Sequence, residues 1–394
     1  MSYTQVILKS GKDQSLMRRH PWVFSGAIKK IKGSVEEGDT VEVTNNKDEF
    51  LGLGHYQIGS IAIRIISFRQ TPIDEIFWKQ KLQSAIDYRS NMGFFSHPET
   101  NVFRVIHAEG DNLPGLIVDY YNGTLVMQMH SIGMYKIRKE LAQMLKEMMP
   151  LPVNAVYDKS AHTLPHKANI DPVDGYLIGT AEESLVQENG IKFHINWEKG
   201  QKTGFFVDQR DSRSLVKHYA KKRKVLNMFG YTGGFSLYAL AGDAQEVHSV
   251  DSSKLAIELT NEHVHLNFPS YSNHFAYAED AFSYLEKMDD SFDLIILDPP
   301  AFAKHQNVLQ NALQGYKKLN RKALEKIKPG GILFTYSCSQ VVSRENFRRS
   351  VFTAAANTGR KVRILHQLTQ PVDHPVNIYH PESEYLKGLV LYVE

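Results

Sequence analysis

The sequence predicts an α/β protein, with a parallel sheet in its C-terminal half and two smaller domains before it. Three observations carry this prediction. From about residue 209 onward, helical segments and apolar strands alternate, the succession that builds an open sheet covered by helices. The strands of that region read as nearly continuous hydrophobic runs, as parallel strands buried on both faces do. Residues 1–72 instead hold short period-2 runs between glycine-bearing turns, which points to a small, mostly β domain. A chain of 394 residues also exceeds what one core supports, so two or three domains are expected.

In chain order, strands are predicted at 5–9, 40–44, 50–56 and 61–66. A helix follows over 72–89, with Pro72 just inside its start and Ile73, Ile76, Phe77, Leu82 and Ile86 spaced for one apolar face. Strands at 102–107, 115–121, 124–130 and 155–158, with a helix at 135–148, make a central α+β domain. Its end is marked by the turn-rich run Asp171-Pro172-Val173-Asp174-Gly175. A strand at 191–196 and a loop at 199–204 lead into the alternating region. There the expected order is helix 210–220, strand 224–228, helix 235–240, strand 246–250, helix 252–266, strand 274–278, helix 281–287, strand 292–297, helix 308–327 and strand 331–336. The domain boundaries expected from this are 1–72, 73–185 and 186–394.

Composition narrows the class. At 42% hydrophobic and 23% charged residues this reads as an ordinary soluble protein. No apolar run approaches a membrane span, and the beginning of the sequence lacks a secretory apolar region. A single cysteine excludes an internal disulfide and a thiolate metal cluster and fits a reducing cytoplasm. His162, His166, His263, His265 and His274 show no metal-ligand spacing, since positions 263 and 265 face different sides of a helix; no metal is expected. The net charge of +3 is small, but its distribution is uneven. Lys9, Lys12, Arg18, Arg19, Lys29, Lys30 and Lys32 stand against Asp13 alone in the first 35 residues. Such local positive density attracts phosphates. Trp22 and Phe24 beside Arg18-Arg19 add rings suited to stacking on bases.

The chemistry-bearing residues fall at predicted strand ends. Strand 331–336 runs into Ser337-Cys338-Ser339, whose polar flanks argue against a core cysteine. Strand 292–297 ends in Asp298-Pro299-Pro300, where two prolines stiffen the loop that presents the acid. Strand C-termini of a parallel sheet share one edge, and ligands bind there, so a thiol and a carboxylate meet at one crevice. After strand 224–228 comes Phe229-Gly230-Tyr231-Thr232-Gly233-Gly234, a glycine loop and helix start suited to an anionic group, without the lysine of a phosphate-binding loop. Asp251 ends the next strand, where an acid can accept ribose hydroxyls. Asp280 ends the third, placed to bond the amino group of an adenine, with Phe282 nearby. Gln209-Arg210 is a candidate phosphate or carboxylate clamp.

These stretches resemble the ribosomal RNA large-subunit methyltransferase I family of 5-methylcytosine enzymes, which use S-adenosylmethionine. The similar segments are His20-Pro21-Trp22-Val23-Phe24-Ser25-Gly26, residues 202–210, Leu226-Asn227-Met228-Phe229 with Tyr231-Thr232-Gly233-Gly234-Phe235, Asp298-Pro299-Pro300-Ala301-Phe302, and Tyr336-Ser337-Cys338-Ser339. The resemblance covers nearly the whole chain. It implies an N-terminal PUA domain, a central α+β domain and a Rossmann-like class I methyltransferase domain. It further implies S-adenosylmethionine contacts at Arg210, Asn227, Phe229, Tyr231, Thr232, Gly233, Asp251, Ser252, Asp280, Ala281 and Asp298. The nucleophile maps onto Cys338, with Asp298 as its catalytic partner. RNA contacts are expected at Arg18, Arg19, Trp22, Lys29 and Lys30. Many relatives carry a cysteine where Gly230 stands here, a departure that leaves the nucleophile untouched. The expected partner is ribosomal RNA, the expected location the cytoplasm, and a homodimer is among the assemblies the sequence allows.

The residues also suggest the reaction by themselves. C5 of cytosine attacks a methyl sulfonium only after a thiolate adds at C6 with a proton held on N3, a covalent route that divides one hard step into easier ones. Cys338 supplies the thiol and Asp298 the N3 partner. The same thiolate logic serves 5-methyluracil formation. Guanine N-methylation would use Asp-Pro-Pro and leave Cys338 a bystander, and a non-catalytic RNA-binding assembly factor would use neither.

Overall fold

The computed structural model describes residues 3–165, 170–181, 184–289, 291–303 and 305–394. His166 lies outside them. The chain forms two compact units: one from 1–190, 194–207 and 372–383, the other from 191–193, 208–371 and 384–394.

The first unit opens with β1 (Thr4–Leu8), α1 (Gln14–Met17), β2 (Trp22–Phe24), β3 (Ile28–Lys32), β4 (Thr40–Thr44), β5 (Phe50–Tyr56) and β6 (Ile61–Ser67). They form a six-stranded sheet in the order β2-β6-β5-β4-β1-β3 around Val6, Leu8, Val41, Val43, Ile63 and Ile65. The period-2 reading finds β1, β4, β5 and β6 to within a residue. It misses β3, because Ile28-Lys29-Lys30-Ile31-Lys32 lacks apolar alternation, although Ile28 and Ile31 pack on the core.

Then come α2 (Glu75–Asn91), β7 (Val102–His107), β8 (Leu116–Tyr121), β9 (Thr124–Met129), α3 (Ile132–Lys136), α4 (Arg138–Met148), β10 (Ala155–Asp158), β11 (Gly175–Ile178) and β12 (Leu185–Glu188). β11-β10-β9-β8-β7 make a second sheet. Helix α2 does not begin at Pro72. Asp74 caps it, accepting the Phe77 N–H at 2.9 Å, a stronger start signal than proline. Ile76, expected on the apolar face, points outward instead, and Phe77, Trp78, Leu82, Ala85, Ile86 and Arg89 are buried. The single helix expected over 135–148 is broken at Ile137. There Arg138 turns back to donate to the Tyr135 carbonyl at 2.8 Å and lies 3.8 Å from its ring.

Buried charges tie this unit together. Arg104 grips Asp119 with two N–H donors, at 2.7 and 2.9 Å, and Thr203 donates to the same carboxylate at 2.6 Å. Arg89, with no exposed surface, donates to Asp111 at 2.5 Å, to the Arg104 carbonyl at 3.0 Å and to the Asp373 carbonyl at 2.7 Å. The Asp373 carboxylate in turn accepts the Arg104 N–H at 3.0 Å.

The second unit contains most of β13 (Ile191–His194), then α5 (Arg210–Tyr219), β14 (Lys224–Met228), α6 (Gly234–Ala241), β15 (Glu246–Asp251), α7 (Lys254–Asn267), β16 (His274–Ala278), α8 (Ala281–Lys287), β17 (Leu294–Leu297), α9 (Leu309–Lys326), β18 (Gly331–Ser337), α10 (Arg344–Thr358), β19 (Val362–Leu368) and β20 (Lys387–Val393). The sheet order is β16-β15-β14-β17-β18-β20-β19. β16 through β18 are parallel, whereas β20 inserts antiparallel between β18 and β19. The expectation of a parallel sheet therefore holds for the part that carries the motifs and fails at the far edge. Side chains alternate between two cores: Leu226, Met228, Ile295, Leu297 and Leu333 face one, Val225, Leu294, Ile296, Ile332 and Phe334 the other. Among the described residues, no helix is long and apolar enough to cross a membrane.

The Arg89 network yields a stability prediction. Arg89→Met leaves Asp111 and two carbonyls buried without their cation, so unfolding free energy should fall by about 3–5 kcal/mol. Equilibrium denaturation with urea measures this. A loss under about 1 kcal/mol, the value of an exposed pair, would show that the network contributes nothing beyond a surface ion pair.

Candidate active site

Strand order reverses at β14: the chain proceeds through β15 to β16 on one side and resumes at β17 and β18 on the other. The loops after β14 and β17 therefore diverge and leave a crevice at the strand C-termini. Phe229, Tyr231 and Gly233 in the first loop all adopt left-handed backbone angles, with φ of 59°, 46° and 82°. A side chain at Gly233 would be strained, and its Cβ would stand 2.7 Å from Thr260 Cγ2. The loop is pinned from behind. Asp251 accepts the N–H groups of Tyr231 and Ser253, both at 2.9 Å, while Thr260 donates to the Tyr231 carbonyl at 3.0 Å. His263 Nδ1 lies 2.9 Å from the Thr232 carbonyl oxygen.

The strand-end acids stand where the sequence places them. Asp251 is the last residue of β15, Ser252 follows it exposed, Asp280 follows β16 and Asp298 follows β17. Asp280 also caps α8: it accepts the N–H and hydroxyl of Ser283 at 2.9 and 3.0 Å, bonds that hold its carboxyl below the usual range. Ala281 begins that helix, buried. Asn227, fully buried in β14, donates to Ser236 at 2.9 Å. Gln209 donates to Asp298 at 2.9 Å, and neighbouring Arg210 starts α5, buried.

Cys338 follows β18, half-buried, with its sulfur 3.9 Å from the Pro299 carbonyl oxygen. Thiol and Asp-Pro-Pro loop thus adjoin. The serine neighbours whose polarity argues against a core cysteine are themselves not exposed. Both are buried, Ser337 donating to the Tyr316 hydroxyl at 2.9 Å and Ser339 to the Ala303 carbonyl at 2.5 Å. Phe302 packs on Tyr316 at 4.6 Å between ring centres, and a Cβ on Gly315 would meet its ring at 3.0 Å. It helps build the wall under the Asp-Pro-Pro loop. Burial pushes the Tyr316 hydroxyl up to about 12, with Cys338 and Asp298 both adding to that shift. Gln209 belongs to the predicted Gln209-Arg210 clamp, but its partner is Asp298; Tyr316 carries no motif of its own. Only the hydrogen-bond pattern reveals Tyr316.

The candidate RNA residues lie apart from this crevice in the chain. Arg18 is the exposed cap of α1, and Arg19 has φ of 66° with its guanidinium 5.2 Å from the centre of the Phe68 ring. Lys29 and Lys30 are exposed on β3, while Trp22 lies on β2 at the opposite end of the strand order. Trp22 is half-buried, its indole N–H donating to Glu109 at 2.8 Å, so Phe24 is the more exposed ring of the pair.

His20, His380 and Glu382 bring three metal-ligand atoms within 4.8 Å of one another. His20 Nδ1 accepts the Trp22 N–H at 3.2 Å, so the neutral ring carries its proton on Nε2 and donates it to Glu382 at 3.3 Å. That tautomer has no lone pair left for an ion at Nε2. His20 and Glu382 are therefore read as a hydrogen-bonded pair.

The donor set at the crevice fits S-adenosylmethionine. Its ammonium, ribose hydroxyls and adenine amino group are donors, and the edge offers Asp251, Asp280 and Asp298 as acceptors. The buried Oε1 of Gln209 and Oδ1 of Asn227 have no hydrogen-bond partner among the described residues, two further acceptors at the same edge.

Comparison with known proteins agrees. A family model for S-adenosylmethionine-dependent methyltransferases matches residues 103–376, and one for PUA-like domains matches 6–68. The ribosomal RNA large subunit methyltransferase I of Alteromonas mediterranea is 40% identical over 392 residues, covering 98% of both chains. That of Tolumonas auensis is 39% identical, covering 98% of this chain and 99% of its own. A Streptococcus mutans structure described as a SAM-dependent methyltransferase shares the fold over 100% of both chains, with a TM-score of 0.84 at 24% identity. A crevice built to accept this cofactor, a PUA-like domain and relatives matched from end to end lead to one conclusion: the chain belongs to the ribosomal RNA large subunit methyltransferase I family and uses S-adenosylmethionine.

Proposed function

We propose that the enzyme methylates C5 of a cytosine in large-subunit ribosomal RNA through a covalent adduct on Cys338. The observation that carries this reading is the half-buried Cys338 beside the Asp-Pro-Pro loop, at the strand edge that holds the cofactor-type acceptors. The bound cofactor supplies an electrophilic methyl group. Cys338 adds as thiolate to C6 of the cytosine, forming the S–C6 bond and displacing the ring π electrons. Asp298, oriented by Gln209, holds the proton at N3 that balances this charge. The resulting enamine carries its electron pair at C5, the carbon that is methylated. Loss of the C5 proton to a base then expels Cys338 as thiolate. No metal ion is needed in this sequence of steps.

Arg210, Asn227, Phe229, Tyr231, Thr232, Gly233, Asp251, Ser252, Asp280, Ala281 and Asp298 form the cofactor site in this reading. Asp251 serves the ribose and Asp280 the adenine amino group. Arg18, Arg19, Trp22, Lys29 and Lys30 hold RNA. The division into 1–72, 73–185 and 186–394 separates recognition from chemistry, supported by the PUA-like match at one end and the strand-edge site at the other. A cytoplasmic location accords with a single cysteine and an rRNA substrate.

Cys338→Ala should retain cofactor binding and lose methylation, and RNA containing 5-fluorocytosine should trap the wild-type protein covalently, because fluorine at C5 blocks the final elimination. Full activity of the alanine variant would overturn the adduct and favour N-methylation.

Asp251→Ala or Asp280→Ala should weaken cofactor binding about ten- to a hundredfold, the worth of a hydrogen bond to a charged group, with RNA affinity nearly unchanged. Calorimetry giving unaltered cofactor affinity in both variants rejects these assignments.

Neutralising Arg18, Arg19, Lys29 and Lys30 together should lower RNA affinity and flatten its salt dependence, since fewer counterions are released. Binding titrations over a range of salt concentrations test this. An unchanged slope would make the basic strand and turn ordinary solvated surface.

A further inference from the structure

The methyltransferase unit buries an ammonium group that the mechanism above leaves unused. Lys387 opens β20 and is only 3% exposed. Its backbone pairs in register with Ser337 at the end of β18, and its Nζ donates to the Ser339 carbonyl at 2.5 Å and the Tyr385 carbonyl at 2.7 Å. The residue that pairs with Lys387 and the residue whose carbonyl accepts its hydrogen bond are the two chain neighbours of Cys338. Both side-chain partners are carbonyls, so among the described residues no carboxylate neutralises the ammonium by a direct ion pair. A buried cation without an anionic partner is costly, and burial pushes Lys387 down to about 8. The Cys338 thiolate is the strongest influence opposing that fall, followed by Glu384.

We propose that Lys387 is a positioning residue whose ammonium holds Cys338 as a thiolate before the RNA base arrives. The charged and titratable groups described near the pair act differently. Asp298 beyond β17 is an acid and disfavours a second negative charge. The Tyr316 hydroxyl on α9 is held neutral by burial. Arg344 on α10 and Glu384 beside β20 form an ion pair with each other. A free thiol has a pKa near about 8.5 and is mostly protonated at neutral pH. A fixed cation beside it lowers that value. The attraction is mutual, so the thiolate that keeps Lys387 protonated is itself favoured by Lys387. No proton acceptor on the substrate is needed to ready the nucleophile.

This inference rests on Cys338 being the attacking atom, and its test is independent of turnover. The chain has one cysteine, so the rate of alkylation by iodoacetamide against pH reports Cys338 alone, without RNA. Wild-type protein should alkylate with a midpoint below about 8.5. Lys387→Met should raise that midpoint by about one unit or more and slow alkylation at pH 7 about tenfold. Lys387→Arg, which keeps the charge, should retain the low midpoint, and it decides alone if the methionine variant does not fold. A methionine variant titrating like wild type, or an arginine variant shifted upward, would overturn the role of Lys387. Either result leaves the nucleophile assignment intact as long as Cys338→Ala is inactive, whereas an active Cys338→Ala protein removes that assignment whatever the alkylation shows.

Discussion

The parallel pairing of β14 with strands on both of its sides is the constraint on which the site depends. Met228 lies opposite Val250 of β15 and Leu297 of β17, so the three strands end within one residue of one another. Asp251 and Asp298 follow at once. The next strand, β18, is parallel again and delivers Cys338 to the same edge. Slipping any of these strands by one residue would exchange the two apolar cores, sending side chains such as Ile295 and Leu297 to the wrong face. Burial thus fixes register, and register fixes where the acids and the thiol emerge.

The loop after β14 shows how the same residues hold structure and chemistry together. Asp251 commits one carboxylate oxygen to each of two backbone N–H groups, which steadies a loop where Phe229 and Tyr231 hold strained left-handed angles. Asp280 caps a helix while standing at a strand end. Each acid is rigid because its local bonds are made within the protein, and a rigid acceptor loses little freedom when a ligand binds.

Much of this is legible in the sequence. Strands 224–228 and 274–278 and helix 281–287 have the boundaries read from it, since apolar runs and the Asp280 cap signal them locally. Asp251, Asp280, Asp298 and Cys338 stand out because each ends a recognisable strand. What escapes is non-local. The charged strand 28–32 borrows its order from β1, and β20 enters the sheet from the far end of the chain. Tyr316 and Lys387 sit on a helix and a late strand without distinctive neighbours, and the Gln209-Arg210 pair does not announce its partner. Their partners in space, Asp298, Ser337 and Ser339, are distant in sequence, and no spacing rule reports them.

The order of synthesis runs against the order of bonding in the first unit. The stretch 372–383 belongs to that unit although it is encoded between the last two strands of the other. Its Asp373 completes the bonding of Arg89 and Arg104. Domains emerging from a ribosome ordinarily fold in order, the N-terminal one first. Here the network around Arg89 and Arg104 cannot close until Asp373, 269 residues after Arg104, has been synthesised. Nascent chains would wait in a partly satisfied state until that distant stretch leaves the exit tunnel and closes the network.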